Sequence, residues 1–269
     1  MKQFFLNLWA KILELVFRLD VYAGEAFVFI VYKQPLYSKL ALTVLTYFSL
    51  VLMTNWIVAA IFLAGIFIHE QGHVLALDLL NITNKGFFPI PFLGGVTVFS
   101  SKEVKTYQNN FIIAIFGPII GAAFGGILLI GYCATHWNWL GGAAGLMIVL
   151  NLFNLLPIVM LDGGRMYDSI VSGLSDKHKK ISYSVMSAAV LALGLMTWKS
   201  SVTISVIMIV GAAVQFFTKV RKENHNVDFE PIKNPVIASA CVVAYMVSIL
   251  VMLAMLLPLV KVDFVALFG

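Results

Sequence analysis

From residue 40 to residue 260 the chain is a succession of apolar runs almost free of charge, and that pattern leaves few folds open. A helix rising 1.5 Å per residue needs about 20 apolar residues to cross a hydrocarbon core of roughly 30 Å. Such runs fall near 40–54, 56–80, 108–133, 139–162, 181–198, 202–217 and 236–260. The reading is an all-α polytopic membrane protein of about six to seven transmembrane helices. Asn55-Trp56 is a tight place to turn, so one bent helix over 40–80 is the alternative to two spans. Composition agrees: 61% of residues are hydrophobic and 12% charged, where a soluble domain has roughly 45–50% and about 25%. That excludes a soluble enzyme, a disordered chain and a nucleic-acid binder; the expected partner is the lipid bilayer.

The formal charge of +5 is then a matter of topology. Sixteen of the 18 lysines and arginines fall in alternate connecting segments, and two fall in the others. By the positive-inside rule this predicts seven spans, a cytoplasmic N-terminus and an outer C-terminus. Ahead of the spans, Gln3, Asn7, Lys11, Glu14 and Arg18 recur at steps of three and four. They predict an amphipathic helix over 2–19, lying on the membrane or against the protein. No signal peptide is expected, since Glu14 and Arg18 interrupt the apolar pattern. A β-prone run follows at 27–32. These make an N-terminal region 1–39 before a single membrane domain over 40–260, with no appended soluble module. Cys133 and Cys241 lie in apolar stretches and suggest neither a disulfide framework nor a CxxC site.

Segment 81–107 departs from the pattern. Gly94-Gly95 is a hairpin signal between apolar arms that run from Phe87 to Phe99. A hairpin that dips into a bilayer must have its backbone buried in protein or lining a cavity. Gly117, Gly121 and Gly125, then Gly141 and Gly145, are spaced for close helix packing.

Three acidic residues fall inside the predicted spans: Glu70, Asp78 and Asp162. Ionisable groups in a membrane are costly and mark function. Glu70 sits in His69-Glu70-Gln71-Gly72-His73, the H-E-x-x-H pattern. Residues i and i+4 share a helix face, so both imidazoles reach one metal ion, and Glu70 stands beside it as a general base. Zinc suits imidazole ligands, keeps one position for water in catalytic sites and lowers that water's pKa to about 7. A third ligand is needed. Spans 56–80 and 139–162 both run toward the cytoplasm, which brings Asp162 to the same side as His69 and His73. Asp78, His136, His178 and His225 read as interfacial or solvated, and Trp137 and Trp139 as interfacial anchors.

HEQGH at 69–73 and the N-x-x-P pattern from Asn154 through Leu161-Asp162-Gly163 resemble the site-2 protease family of intramembrane zinc metalloproteases. The resemblance covers roughly residues 56–170 and is to the minimal type, without PDZ or CBS domains. It implies zinc held by His69, His73 and Asp162, Glu70 as base, and Asn154 polarising the scissile carbonyl or holding the oxyanion. Asn154 and Asp162, eight residues apart, are expected on one face of one helix. It also implies a transmembrane protein or peptide substrate and residence in a prokaryotic cell membrane. The hairpin, with Gly94, Gly95 and Val96, or the run 27–32, is expected to offer an edge to an unwound substrate. The competing readings are a zinc-binding transporter and a pseudoenzyme that binds transmembrane helices.

Overall fold

A computed structural model describes residues 36–83, 85–90, 94–99, 103–159, 161–199, 201–221 and 229–262. The helix expected over 2–19, the run 27–32 and His225 lie outside these residues. The described chain is mostly helical with one small hairpin. Helices α1 (Leu36–Met53) and α2 (Trp56–Leu79) are separate elements, not one bent helix. Asn55 divides them: its Oδ1 accepts from the amides of Ile57 at 3.0 Å and Val58 at 2.9 Å and caps α2.

Strands β1 (Lys85–Ile90) and β2 (Gly94–Phe99) follow as an antiparallel pair. Gly94 pairs with Ile90 and Gly95 with Pro89. The glycine pair therefore opens the second strand and is paired with the first; residues 91–93 between the strands lie outside the described set. Helix α3 (Tyr107–Thr135) is the central element, and α4 (Asn138–Asn154) returns beside it. Ile113, Ala114, Ala144 and Ile148 are fully buried along these two helices.

The expected span 139–162 is not one helix. Helix α4 stops at Asn154, and Asp162 begins a new helix, α5 (Asp162–Val171). Pro157 is the physical reason. It has no N–H for a helical bond and pushes the residue before it away from helical geometry. The break is pinned from outside by Tyr245, whose hydroxyl donates to the Leu155 carbonyl at 2.5 Å. Gly163 and Gly164 let it lie on the first turn of α5: a Cβ there would fall 2.2 Å from Leu155 O and 2.1 Å from Ile158 O.

Helices α6 (Asp176–Met196), α7 (Val202–Phe216) and α8 (Pro235–Leu256) complete the described fold. Among the described residues, four helical stretches are long and apolar enough to cross a membrane: Trp56–Leu79, Tyr107–Thr135, Asp176–Lys199 and Pro235–Val260. Tyr37–Leu52 and Ile204–Val220 are shorter apolar helices. Leu250, Leu253 and Leu257 are exposed on or just beyond α8, as expected for a helix that faces lipid.

Candidate metal centre

The centre is built from α2, α3, α4 and the start of α5. His69, Glu70 and His73 are buried on the inner part of α2. One helical turn brings the two imidazoles together, with ring centroids 4.8 Å apart and planes nearly perpendicular. Asp162, also buried, enters from the first turn of α5. Its Oδ2 lies 2.9 Å from His69 Nε2 and 3.2 Å from His73 Nε2, and the two nitrogens are 3.1 Å apart.

The protons on the far side of each ring are accounted for. Asn151 Nδ2 donates to the Met147 carbonyl at 2.7 Å, so Asn151 Oδ1 faces His69 Nδ1 at 2.8 Å. That oxygen only accepts, which makes Nδ1 of His69 the donor. His73 Nδ1 likewise donates to the Ile113 carbonyl at 2.7 Å. With Nδ1 protonated, each Nε2 presents a lone pair, and both lone pairs meet the Asp162 carboxylate. With both rings neutral, three lone pairs converge on one point, a donor set that suits a metal cation.

Separations of 2.9–3.2 Å compare with roughly 3.3–3.6 Å between ligand atoms of a tetrahedral zinc shell at about 2.0–2.2 Å. The donor set, two imidazoles and a carboxylate, is one that zinc accepts in catalytic sites. Closing the site takes only a small adjustment of side chains already in place.

Helix α3 forms the wall, and it does so through missing side chains. A Cβ on Gly117 would fall 2.4 Å from His73 Nε2 and 2.9 Å from His69 Nε2. A Cβ on Gly72 would fall 2.4 Å from the Phe116 carbonyl, so α2 and α3 meet here backbone to backbone. Gly121 leaves room for Asn151, where a Cβ would lie 2.2 Å from Oδ1. The glycine spacing that reads as generic packing thus shapes the centre itself. Asn110 of α3 anchors the ligand helix: its Nδ2 donates to Ser169 Oγ at 3.0 Å and it accepts from Arg165 Nη2 at 3.0 Å. Arg165 Nη1 stands 3.9 Å from Asp162 Oδ1.

The hairpin closes the site over Glu70. Thr97 Oγ1 donates to Glu70 Oε2 at 2.5 Å. Gly95 sits on α2, where a Cβ would lie 3.2 Å from Glu70 Cγ and 2.9 Å from Ile66 Cγ2. Val96 is half-buried in β2 beside it.

The structure thus brings together His69, His73, Asp162, Glu70 and the Gly95 stretch of the hairpin. Asn154 stands apart from the expected geometry. It is the last residue of α4, half-buried, with Nδ2 donating to the Leu150 carbonyl at 3.1 Å. With the helix broken at 155–161, Asn154 and Asp162 share no helix face. The amide that touches the histidines is Asn151, one turn earlier. Asn151 and Thr97 are the residues that the motif reading missed. Asn151, three residues before Asn154 on the same helix, was within reach of a periodicity argument. Thr97 was not, because its role depends on the strand's register. Asp78, His136 and His178 are exposed.

Comparison with known proteins agrees with this chemistry. The profile of Peptidase family M50 matches residues 133–197. "Putative zinc metalloprotease sll0528" of Synechocystis is 31% identical over 136 residues, covering 47% of this chain and 35% of that protein. "Putative zinc metalloprotease Rip3" of Mycobacterium tuberculosis is 30% identical over 158 residues, covering 51% of this chain and 38% of that protein. The matches thus span little more than a third of the curated relatives' length. The solved "Site-2 Protease from Methanocaldococcus jannaschii" superposes with a TM-score of 0.44 at 23% identity, over 71% of this chain and 90% of that one. The sequence matches are to zinc metalloproteases. Over the stretch that they cover, they support the site-2 protease family of zinc metalloproteases for this chain.

Proposed function

We propose that this protein is a zinc-dependent intramembrane endopeptidase that hydrolyses peptide bonds in or near transmembrane segments of other membrane proteins. The observation that carries the reading is the convergence of His69 Nε2, His73 Nε2 and Asp162 Oδ2 beside the Glu70 carboxylate. His69, His73 and Asp162 would hold the metal, which when bound supplies a Lewis acid that activates water and polarises a carbonyl. Glu70 takes the proton of the attacking water. Its Oε2 accepts from Thr97, the carboxylate keeps lone pairs to take that proton, and the proton then passes to the leaving amine. Asn154 holds the oxyanion after its amide leaves the Leu150 carbonyl.

A peptide bond inside an intact helix is hydrogen-bonded and shielded, so the substrate must unwind. The outer edge of β2, from Gly94 and Gly95 through Val96, gives the extended segment a strand to pair with. The seven-span topology, with the N-terminus and the active site toward the cytoplasm, belongs to the same proposal and rests on the lysine and arginine distribution.

The test is metal content. The full chain purified in detergent should hold about one zinc per protein, and His69→Ala, His73→Ala and Asp162→Ala should each lose it. A wild type without stoichiometric zinc, or ligand variants that keep it, removes the assignment.

A further inference from the structure

We propose that Thr97 is the positioning residue of the general base: the hairpin holds the Glu70 carboxylate in its working orientation through the Thr97 hydroxyl. The inference rests on the metalloprotease reading and extends it to a residue outside both motifs. Glu70 needs a partner. It follows His69 on α2, and one residue of helix turns it about 100° away from the face that binds the metal. Its three rotatable bonds would let it swing.

Among the described residues, the hydrogen bond to its carboxylate comes from Thr97 at 2.5 Å, the length of a charge-assisted O–H···O⁻ contact. Thr97 is well suited to hold position. Its β-branched side chain has a restricted χ1, and its backbone is fixed opposite Phe87 in the ladder.

The alternation of β2 puts Gly95, Thr97 and Phe99 on one face. Gly95 rests on Glu70 Cγ, and Thr97 binds Glu70 Oε2. Phe99 lies under Arg165, 5.2 Å from ring centroid to guanidinium carbon, and Arg165 reaches toward Asp162. One strand face therefore touches both the base and the neighbour of a metal ligand. A segment pairing with the edge of β2 is registered to Glu70 through Thr97.

The experiment uses the zinc-loaded full chain in detergent and measures acetohydroxamate binding by calorimetry, which needs no substrate. A hydroxamate chelates zinc and hydrogen-bonds the adjacent carboxylate, so its affinity reports where that carboxylate stands. Thr97→Val and Thr97→Ala should weaken binding ~10-fold, with zinc content and melting temperature unchanged, while Thr97→Ser stays within about twofold. Glu70→Gln should weaken it at least as much, and the Thr97→Val/Glu70→Gln double variant should bind no worse than Glu70→Gln alone. The proposal is overturned if both Thr97 variants bind like wild type, if they lose zinc, or if the two penalties multiply. A wild type that holds no zinc overturns the metalloprotease reading itself and is told apart by the metal assay alone.

Discussion

Asn151 accepts the Nδ1 proton of His69 across 2.8 Å while its own amide is committed to the Met147 carbonyl at 2.7 Å. The side chain is fully buried, so neither bond competes with water. It fixes which imidazole nitrogen is free for a metal. Partners of this kind typically change metal affinity by about 10- to 100-fold when removed. Asn151→Leu should therefore bind zinc 10- to 100-fold more weakly while remaining folded, as read by competition with a chelator. Wild-type affinity would mean that His69 is oriented by something else.

Gly117→Ala adds one methyl group to α3 at a point 2.4 Å from His73 Nε2. Alanine is the better helix former by about 1 kcal/mol, so the helix is not the casualty. The imidazoles cannot yield without breaking their bonds to Asn151 and Ile113. The expected outcome is loss of stoichiometric zinc with unchanged helix content by circular dichroism. Retained zinc would show that the α2–α3 contact is looser than it stands.

Asn154→Ala separates the two asparagines of α4. If Asn154 holds the oxyanion, the variant keeps its zinc and loses roughly 10²–10³ in turnover, the usual cost of one such donor. An unchanged turnover assigns it to helix packing through Leu150.

Proline at Gly94 or Gly95 removes a backbone donor from β2 opposite Ile90 or Pro89. Cleavage should fall ~10-fold or more with zinc content preserved, since no ligand lies on the hairpin. Parallel loss of metal would sink the hairpin's assignment to the substrate.

The contrast between motif and context explains how much the sequence disclosed. HEQGH is readable because helical spacing alone sets His69 and His73 on one face. Asp162 was reachable because the lysine and arginine distribution predicts that the apolar runs ending near residues 80 and 162 finish on one side of a membrane. The runs at 56–80, 108–133, 181–198 and 236–260 fall on α2, α3, α6 and α8, in stretches long and apolar enough to cross a membrane. Hydropathy could not see the break at 155–161, because Leu155, Leu156, Ile158, Val159 and Leu161 stay apolar while Pro157 ends the helix. Nor could it show that Gly117 faces the imidazoles or that Thr97 meets Glu70. Both follow from how α3 and β2 are laid on α2, and a separation of 44 or 27 residues along the chain does not encode that contact.

The central claim is that Glu70, beside a metal held by His69, His73 and Asp162, cuts membrane-embedded polypeptides. Its most direct test is co-expression of the full chain with a library of tagged single-span membrane proteins, comparing wild type with Glu70→Gln. The account predicts fragments cut within or beside the transmembrane segment of at least one library member, absent with Glu70→Gln although that variant keeps its zinc. Fragments that appear equally with both proteins, or with neither, would contradict it.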